Sequence, residues 1–274
     1  MDSSQMFNIK GKVAVISGGA GILCSEMAKA IGEHGAKVVI LDVSEENMKA
    51  LSEHLSKKEI EHLAIKTNVL DKKNLEEAAK KTLNKFGAID ILINGAGGNK
   101  AEATTGPDLS FFDLPEEAAK WVFDLNFMGT FLTSQAFGKH ITNKGEGVII
   151  NISSMAALSA MTKVPAYSAA KAAVSNFTKW LAVHMSKNYS DKIRVNAIAP
   201  GFLLTEQNRY LLMNKDNKTF TQRGKTVIEQ TPMKRFGRPA DLISTVLWLI
   251  SPGAGFVHGA IIPVDGGFSA FSGV

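Results

Sequence analysis

The sequence predicts an α/β protein: a single domain, residues 1–274, built on one doubly wound parallel β-sheet flanked by helices on both faces. Three observations carry this expectation. Short apolar runs alternate with longer amphipathic stretches from Lys12 to Val264, with no linker or repeat between them. That pattern belongs to strands covered on both sides. The first apolar run ends in a glycine-rich turn, and an acidic residue closes the second. A chain of 274 residues is long enough to bury a substantial core in one such domain.

Taken in order, residues 12–16 read as a strand running into Ser17-Gly18-Gly19-Ala20-Gly21. An amphipathic helix follows over 22–33, with Met27, Ala28 and Ile31 on one side. Residues 38–41 form the next buried strand, with Asp42 at its end. Glycines let a backbone approach a pyrophosphate, and a helix N-terminus presents free N–H groups to it. An acidic residue some 20 positions further on suits an adenosine ribose with free hydroxyls. Val43 rather than Arg follows Asp42, and the turn carries no Lys or Arg. The expected cofactor is therefore NAD rather than NADP.

The alternation continues with a strand over 62–67, tipped by Asn68 and Val69, and a helix over 71–86 burying Leu75, Ala79 and Leu83. A strand over 89–93 ends in Asn94-Gly95-Ala96-Gly97-Gly98, placing those residues where ligands meet such sheets. Residues 99–116 form a polar loop with an exposed Phe111-Phe112 pair, long enough to read as functional. One long helix is expected after Pro115, carrying Trp121, Phe123, Leu125 and Phe131, with the amide of Asn126 among them. A polar amide in that setting needs a bonding partner. A strand over 147–152 leads to Ser154, and a helix over 164–187 carries Tyr167 and Lys171. Residues 193–198 make a sixth strand closed by Ala199-Pro200-Gly201. A basic turn at 232–239, an apolar helix at 240–250 and a short strand at 259–264 complete the chain.

Composition excludes several function classes. The net charge of +5 comes from Lys residues scattered over helix surfaces. It allows a preference for acidic small molecules and gives no basic stripe with interleaved aromatics for nucleic acid. The single cysteine, Cys24, precludes an internal disulfide and fits a reducing compartment. Residues 1–11 lack a charged start followed by an apolar run, and no stretch reaches the roughly 20 apolar residues that span a bilayer. A cytoplasmic protein with no membrane partner is expected. The six His residues show no ligand-like spacing, so no metal is expected.

The chemistry concentrates around Ser154, Tyr167 and Lys171. Lys171 follows Tyr167 by four residues, so on a helix it lies on the same face. A free phenol titrates near ~10, and a neighbouring ammonium favours the phenolate. A shift of about three units needs roughly 4 kcal/mol, more than one positive group usually supplies. Ser154 could then hydrogen-bond a carbonyl or alkoxide while Tyr167 exchanges the proton. Tyr-x-x-x-Lys by itself also describes a buried Tyr beside a solvated Lys.

Together Ser17-Gly18-Gly19-Ala20-Gly21, Asp42, Asn94-Gly95-Ala96-Gly97, Asn126, Ser154, Tyr167, Lys171 and Pro200-Gly201 resemble the short-chain dehydrogenase/reductase family, in order and over nearly the whole chain. The resemblance implies a Rossmann-type fold and an NAD-dependent oxidoreductase. It implies a catalytic tetrad of Asn126, Ser154, Tyr167 and Lys171, with Asn126 holding a water that connects Lys171 to solvent. Gly18, Gly21, Ile22 and Leu23 would bind the pyrophosphate half of the cofactor, and Asn68 and Val69 would flank the adenine. Asn94, Ala96 and Lys171 would line the ribose of the nicotinamide half, and Gly97 and Tyr167 would also bind the cofactor. Leu203 and Thr205 would meet the carboxamide, and Pro200 and Gly201 would also bind the cofactor. The chain departs from the family pattern in three places. The third loop glycine is replaced near Cys24 in a turn one residue shorter than usual, Asn68 stands where Asp is common, and Gly95 stands where a second Asn is common.

Segments 93–99, 111–114, 125–127, 162–167, 207–209 and 264–269 are similar to the D-mannonate oxidoreductase (fructuronate reductase) branch of that family. This implies a small acidic sugar as substrate, held by loops at about 99–116 and 202–235. A hexuronate needs a cation and several amides. Lys163 or Arg209 could face its carboxylate, and Asn99, Gln207 and Asn208 its hydroxyls. Another polyol, keto-sugar acid or cyclic alcohol is compatible with the same tetrad, and a nucleotide-binding regulator with the same fold. The family usually assembles as a homotetramer. Ala169, Ala172, Ala173, Trp180 and Leu181 would allow close helix contact here.

Overall fold

A computed structural model describes residues 5–205, 208–216 and 218–273. Seven parallel strands form one sheet in the order β3-β2-β1-β4-β5-β6-β7. They are β1 (Val13–Ser17), β2 (Lys37–Asp42), β3 (His62–Lys66), β4 (Ile91–Asn94), β5 (Gly147–Ile152), β6 (Ile193–Pro200) and β7 (Ile261–Val264). The chain runs outward from β1 to β3, then returns to the other side of β1 as β4. This reversal opens a crevice at the carboxyl ends of β1 and β4, where sheets of this kind receive ligands. Ser17 lies opposite both Leu41 and Asn94 there.

The inner strands are apolar on both faces because both faces are covered, whereas the edge strands β3 and β7 are partly exposed. Ala14, Ile16, Val38, Ile40, Ile91 and Ile93 pack on one side against α1 (Ile22–Glu33), α2 (Glu45–Lys57) and α9 (Ile243–Ile250). Val13, Val15, Val39, Leu41 and Leu92 point the other way. They meet α3 (Lys72–Phe86), α5 (Gly129–Lys144) and α6 (Pro165–Asn188). The period-2 alternation thus separates two cores rather than a core from solvent. The Ser44 hydroxyl accepts the Asn47 N–H at 3.3 Å to cap α2, and the Asp71 carboxylate accepts that of Asn74 at 3.1 Å to cap α3.

Two elements differ from the sequence expectation. The single helix expected after Pro115 is split into α4 (Glu116–Phe123) and α5 by a π-turn over Asp124–Met128. The segment 202–235 contains two helices, α7 (Arg209–Leu212) and α8 (Gln222–Gln230). Its own small core of Leu212, Val227 and Phe236 sits apart from the two main ones. At the opposite edge of the sheet, Asp90 accepts the Val13 N–H at 2.7 Å and pairs with Lys144. Among the described residues no helix is long and apolar enough to cross a membrane.

Candidate active site

The glycine turn occupies the four residues between β1 and α1. Gly18 has φ +62°, and a Cβ there would come within 2.8 Å of the Ala96 backbone, so turn and loop both require glycine. Gly21 caps α1 without a side-chain hydrogen bond. The N–H groups of Ile22 and Leu23 are left at an open helix start, a seat for an anion. Asp42 is held on both oxygens, accepting the Ala20 N–H at 3.0 Å and the Ser44 N–H at 3.0 Å. An open helix start beside a fixed carboxylate fits a pyrophosphate and an adenosine ribose.

The replaced third glycine and Gly95 prove to be one feature. Cys24 is buried, and its Sγ fills the space a side chain at residue 95 would need: a Cβ there would lie 2.1 Å from it. Burial pushes the Cys24 thiol up to about 12, so it stays protonated.

Several cofactor candidates turn their side chains inward. Asn94 donates to Ser134 Oγ at 2.9 Å and to Asn151 Oδ1 at 2.8 Å, in a buried network that continues from Asn151 to Thr178. It ties β4, β5, α5 and α6 together, so only its backbone edge can meet a nucleotide. Val69 is likewise buried, against Gly129. Asn68 is exposed, its Oδ1 accepting the Leu70 N–H at 3.0 Å. At the end of β6, a Cβ on Gly201 would reach within 2.6 Å of Asp265 Cα. Leu203 is buried, and the Thr205 N–H is taken by Asn208 Oδ1 at 2.9 Å.

Asn126 lies within the π-turn, fully buried. Its Nδ2 donates to Val122 O and Gly98 O, each at 2.7 Å, and its Oδ1 accepts the Gly98 N–H at 3.2 Å. A Cβ on Gly97 would lie 2.5 Å from Asn126 Oδ1 and 3.2 Å from Lys171 Nζ, so Gly97 threads between the two. Lys171 Nζ donates to Ile152 O at 2.8 Å and stands 5.7 Å from the centre of the Tyr167 ring. The Ser154 hydroxyl accepts the Ala156 N–H at 3.1 Å. The structure brings Asn126, Ser154, Tyr167 and Lys171 to one end of the crevice.

The electrostatics correct one expectation. Burial pushes the Tyr167 phenol up from its ordinary value, opposed by hydrogen bonding to Ser154, and Lys171 does not lower it. Lys171 is itself pulled down to about 8 by burial. Its ammonium turns to the Ile152 carbonyl rather than the phenol oxygen. Both groups lose water, which disfavours the charged form of each.

The substrate candidates divide. Asn208 is committed to its own turn, donating to Leu203 O at 2.7 Å while accepting from Thr205, which leaves little of its amide for a sugar hydroxyl. Gln207 lies outside the described residues. Arg209 opens α7. Asn99 donates to Thr104 Oγ1 at 2.8 Å, and its Oδ1 is buried with no partner among the described residues. Lys163 is exposed at φ +77°, and its carbonyl accepts the Thr105 N–H at 2.9 Å, joining the two rim segments. A further cation, Arg223 of α8, reaches the same rim. It was legible only as a charge four residues before Val227, on the stripe α8 buries.

A family model described as enoyl-(acyl carrier protein) reductase matches residues 20–269. An uncharacterised oxidoreductase of Bacillus subtilis, UxuB, is 50% identical, over 97% of this chain and 98% of that protein. The 5-keto-D-gluconate 5-reductase of Escherichia coli K12 is 30% identical, over 96% of this chain and 98% of its own. A crystal structure from Haemophilus influenzae, provisionally named a D-mannonate oxidoreductase and holding NAD, superposes with a TM-score of 0.91 at 43% identity. It covers 97% of this chain and 98% of that one.

Proposed function

Since this chain belongs to the short-chain dehydrogenase/reductase family of oxidoreductases, we propose that it interconverts the alcohol and keto forms of an open-chain sugar acid with NAD, D-mannonate and D-fructuronate being the favoured pair. One observation carries the reading. Ser154, Tyr167 and Lys171 share the end of a crevice whose other end offers an open helix start and a fixed Asp42 carboxylate.

A bound nicotinamide supplies or collects the hydride. The chain's own residues manage the proton and the geometry. Ser154 hydrogen-bonds the substrate oxygen, and Tyr167 gives or takes the proton at that atom. Burial moves the phenol up and the ammonium down, so their pKa values move apart and the proton stays on the phenol until further charge reaches it. Any positive charge brought beside the phenol adds to the pull of Ser154 toward the phenolate. Asn126 fixes the Gly97-Gly98 backbone against Lys171 and so keeps the floor in register. Asp42 would repel a 2′-phosphate, which favours NAD, as does the NAD held by the similar Haemophilus protein.

A second reading, reduction of a keto-gluconate, is favoured by the likeness to the E. coli 5-keto-D-gluconate 5-reductase. Absorbance at the reduced-nicotinamide band, with D-fructuronate, 5-keto-D-gluconate and neutral ketoses, decides between them. Turnover confined to neutral ketoses refutes both. Tyr167→Phe should lower kcat by about 10²–10⁴-fold with fold and dinucleotide affinity intact. Undiminished turnover in that variant would defeat the proton-transfer assignment.

The protein acts in this reading as a cytoplasmic homotetramer. Trp180 and Val183 face outward on α6, exposed by 55% and 57%, whereas Leu181 belongs to the chain's own core. Such an apolar face suits a second copy. Light scattering from the purified protein should give four chain masses, and a monomeric mass would refute this assembly.

A further inference from the structure

Helix α8 buries Gly224 and Val227. Arg223 precedes Val227 by four residues, so it stands on the stripe that turns inward. A cation on such a stripe is costly unless it meets an anion or several acceptors. Arg223 is half-buried, and burial alone lowers its pKa, leaving a guanidinium that nevertheless stays charged. Among the described residues it forms one hydrogen bond, from Nη1 to Thr162 Oγ1 at 3.0 Å, and pairs with no carboxylate. A guanidinium carries five N–H donors in a planar fork, so most of its bonding capacity is unspent.

The location of that fork matters. Thr162 lies five residues before Tyr167, on the segment leading into the first turn of α6. The next residue, Lys163, binds the 99–116 loop through its carbonyl. Arg223 thus ties α8 to the approach to α6, one residue from the point where that approach binds the 99–116 loop. In D-fructuronate four bonds separate the keto carbon from the carboxylate carbon, a span of about 5 Å. With the keto carbon at the phenol on the floor, the anion falls toward the rim.

We propose that Arg223 is a specificity-determining residue, its guanidinium taking the carboxylate of an open-chain sugar acid whose carbonyl meets Tyr167. The inference rests on the sugar-acid reading above and deepens it. Thr162 braces one nitrogen, which aims the rest of the fork and limits the freedom lost on binding. A planar fork also distinguishes a carboxylate from the hydroxymethyl group that D-fructose carries at the same carbon.

The test compares D-fructuronate with D-fructose, which differ only at that carbon, as the ratio of their kcat/KM values with NADH. Arg223→Gln should lower this ratio about 100-fold, chiefly through KM for the acid, and Arg223→Lys should recover part of it. NADH affinity, read by fluorescence, reports whether the variants are folded. A purely structural latch to Thr162 would lower both kcat/KM values together and leave the ratio unmoved. If wild type prefers the acid and both variants keep the ratio within about threefold, Arg223 is not the determinant, and the substrate reading survives. If wild type shows no preference for the acid, the substrate reading and this assignment both fall.

Discussion

Cys24 and Gly95 occupy one space between them: the thiol of the first fills the volume that a side chain on the second would claim, with only 2.1 Å from Sγ to a Cβ built at residue 95. Each departs from the family pattern alone, and together they are complementary. Gly95→Ala should therefore destabilise the protein by about 1–3 kcal/mol through overpacking. In Cys24→Ala the contact from residue 24 is reduced to its Cβ, 3.7 Å from the new methyl, an ordinary distance. The double variant should recover part of the loss, because the Ser17 carbonyl still lies 2.9 Å away. Urea unfolding of the four proteins measures the coupling, and strict additivity would refute the complementarity.

The carboxylate of Asp42 braces the glycine turn, and in the proposed function it also disfavours NADP. Asp42→Asn keeps an acceptor for Ala20 or Ser44 and removes the charge. Its kcat/KM ratio of NADP to NAD should rise by about tenfold or more, worth roughly 1.4 kcal/mol of relieved repulsion. An unchanged ratio would show that discrimination comes from elsewhere in the crevice.

Lys171 should be a stability liability that the site tolerates. Its pKa falls from 10.5 to about 8 in the folded chain, so between those values the unfolded state binds more protons. Stability then rises as pH climbs from about 8 toward 10.5, and the cost is fully present below 8. The gap corresponds to about 3 kcal/mol. Lys171→Met should accordingly raise Tm at pH 7, lose activity, and show an advantage over wild type that shrinks by pH 10. A variant less stable than wild type at neutral pH would contradict the burial argument.

Asp90 works in the opposite direction and far from the crevice. Its carboxyl is held below its usual range by Lys144, the Val13 N–H and Lys12, against the opposing effect of burial. Its contribution is present above the ordinary carboxylate pKa near ~4 and is lost as pH falls through the lower folded value. Asp90→Asn should cost about 1–3 kcal/mol at pH 7, with kcat unaffected. The difference from wild type should fade near pH 3, as followed by denaturant unfolding.

Much of this was legible in the sequence. Apolar runs covered on both faces have an unmistakable pattern, so all seven strands lie where the alternation places them, within two or three residues. The turn before Ile22, the strand tips and the Tyr167–Lys171 spacing were visible because they are local. What escaped depends on contacts across the chain. Nothing in periodicity records that Cys24 meets Gly95, or that Asn94 turns toward Ser134 and Asn151. The widened turn at Asp124–Met128 shifts a hydrogen-bond ladder without altering the apolar pattern. The direction of the Tyr167 shift depends on where the Lys171 amine is aimed, and Ile152, nineteen residues earlier in the chain, decides that.

That widened turn has a cost the rest of the helix does not share. Deleting one residue between Phe123 and Gly129 would let α4 and α5 merge into a single straight rod with regular bonding throughout. The shorter chain would swing Asn126 off the Gly98 backbone by about a quarter-turn, since one residue of an α-helix advances roughly 100°. Selection for robustness alone would favour such a deletion. The surplus residue is worth keeping only to a protein that must hold one amide against one loop.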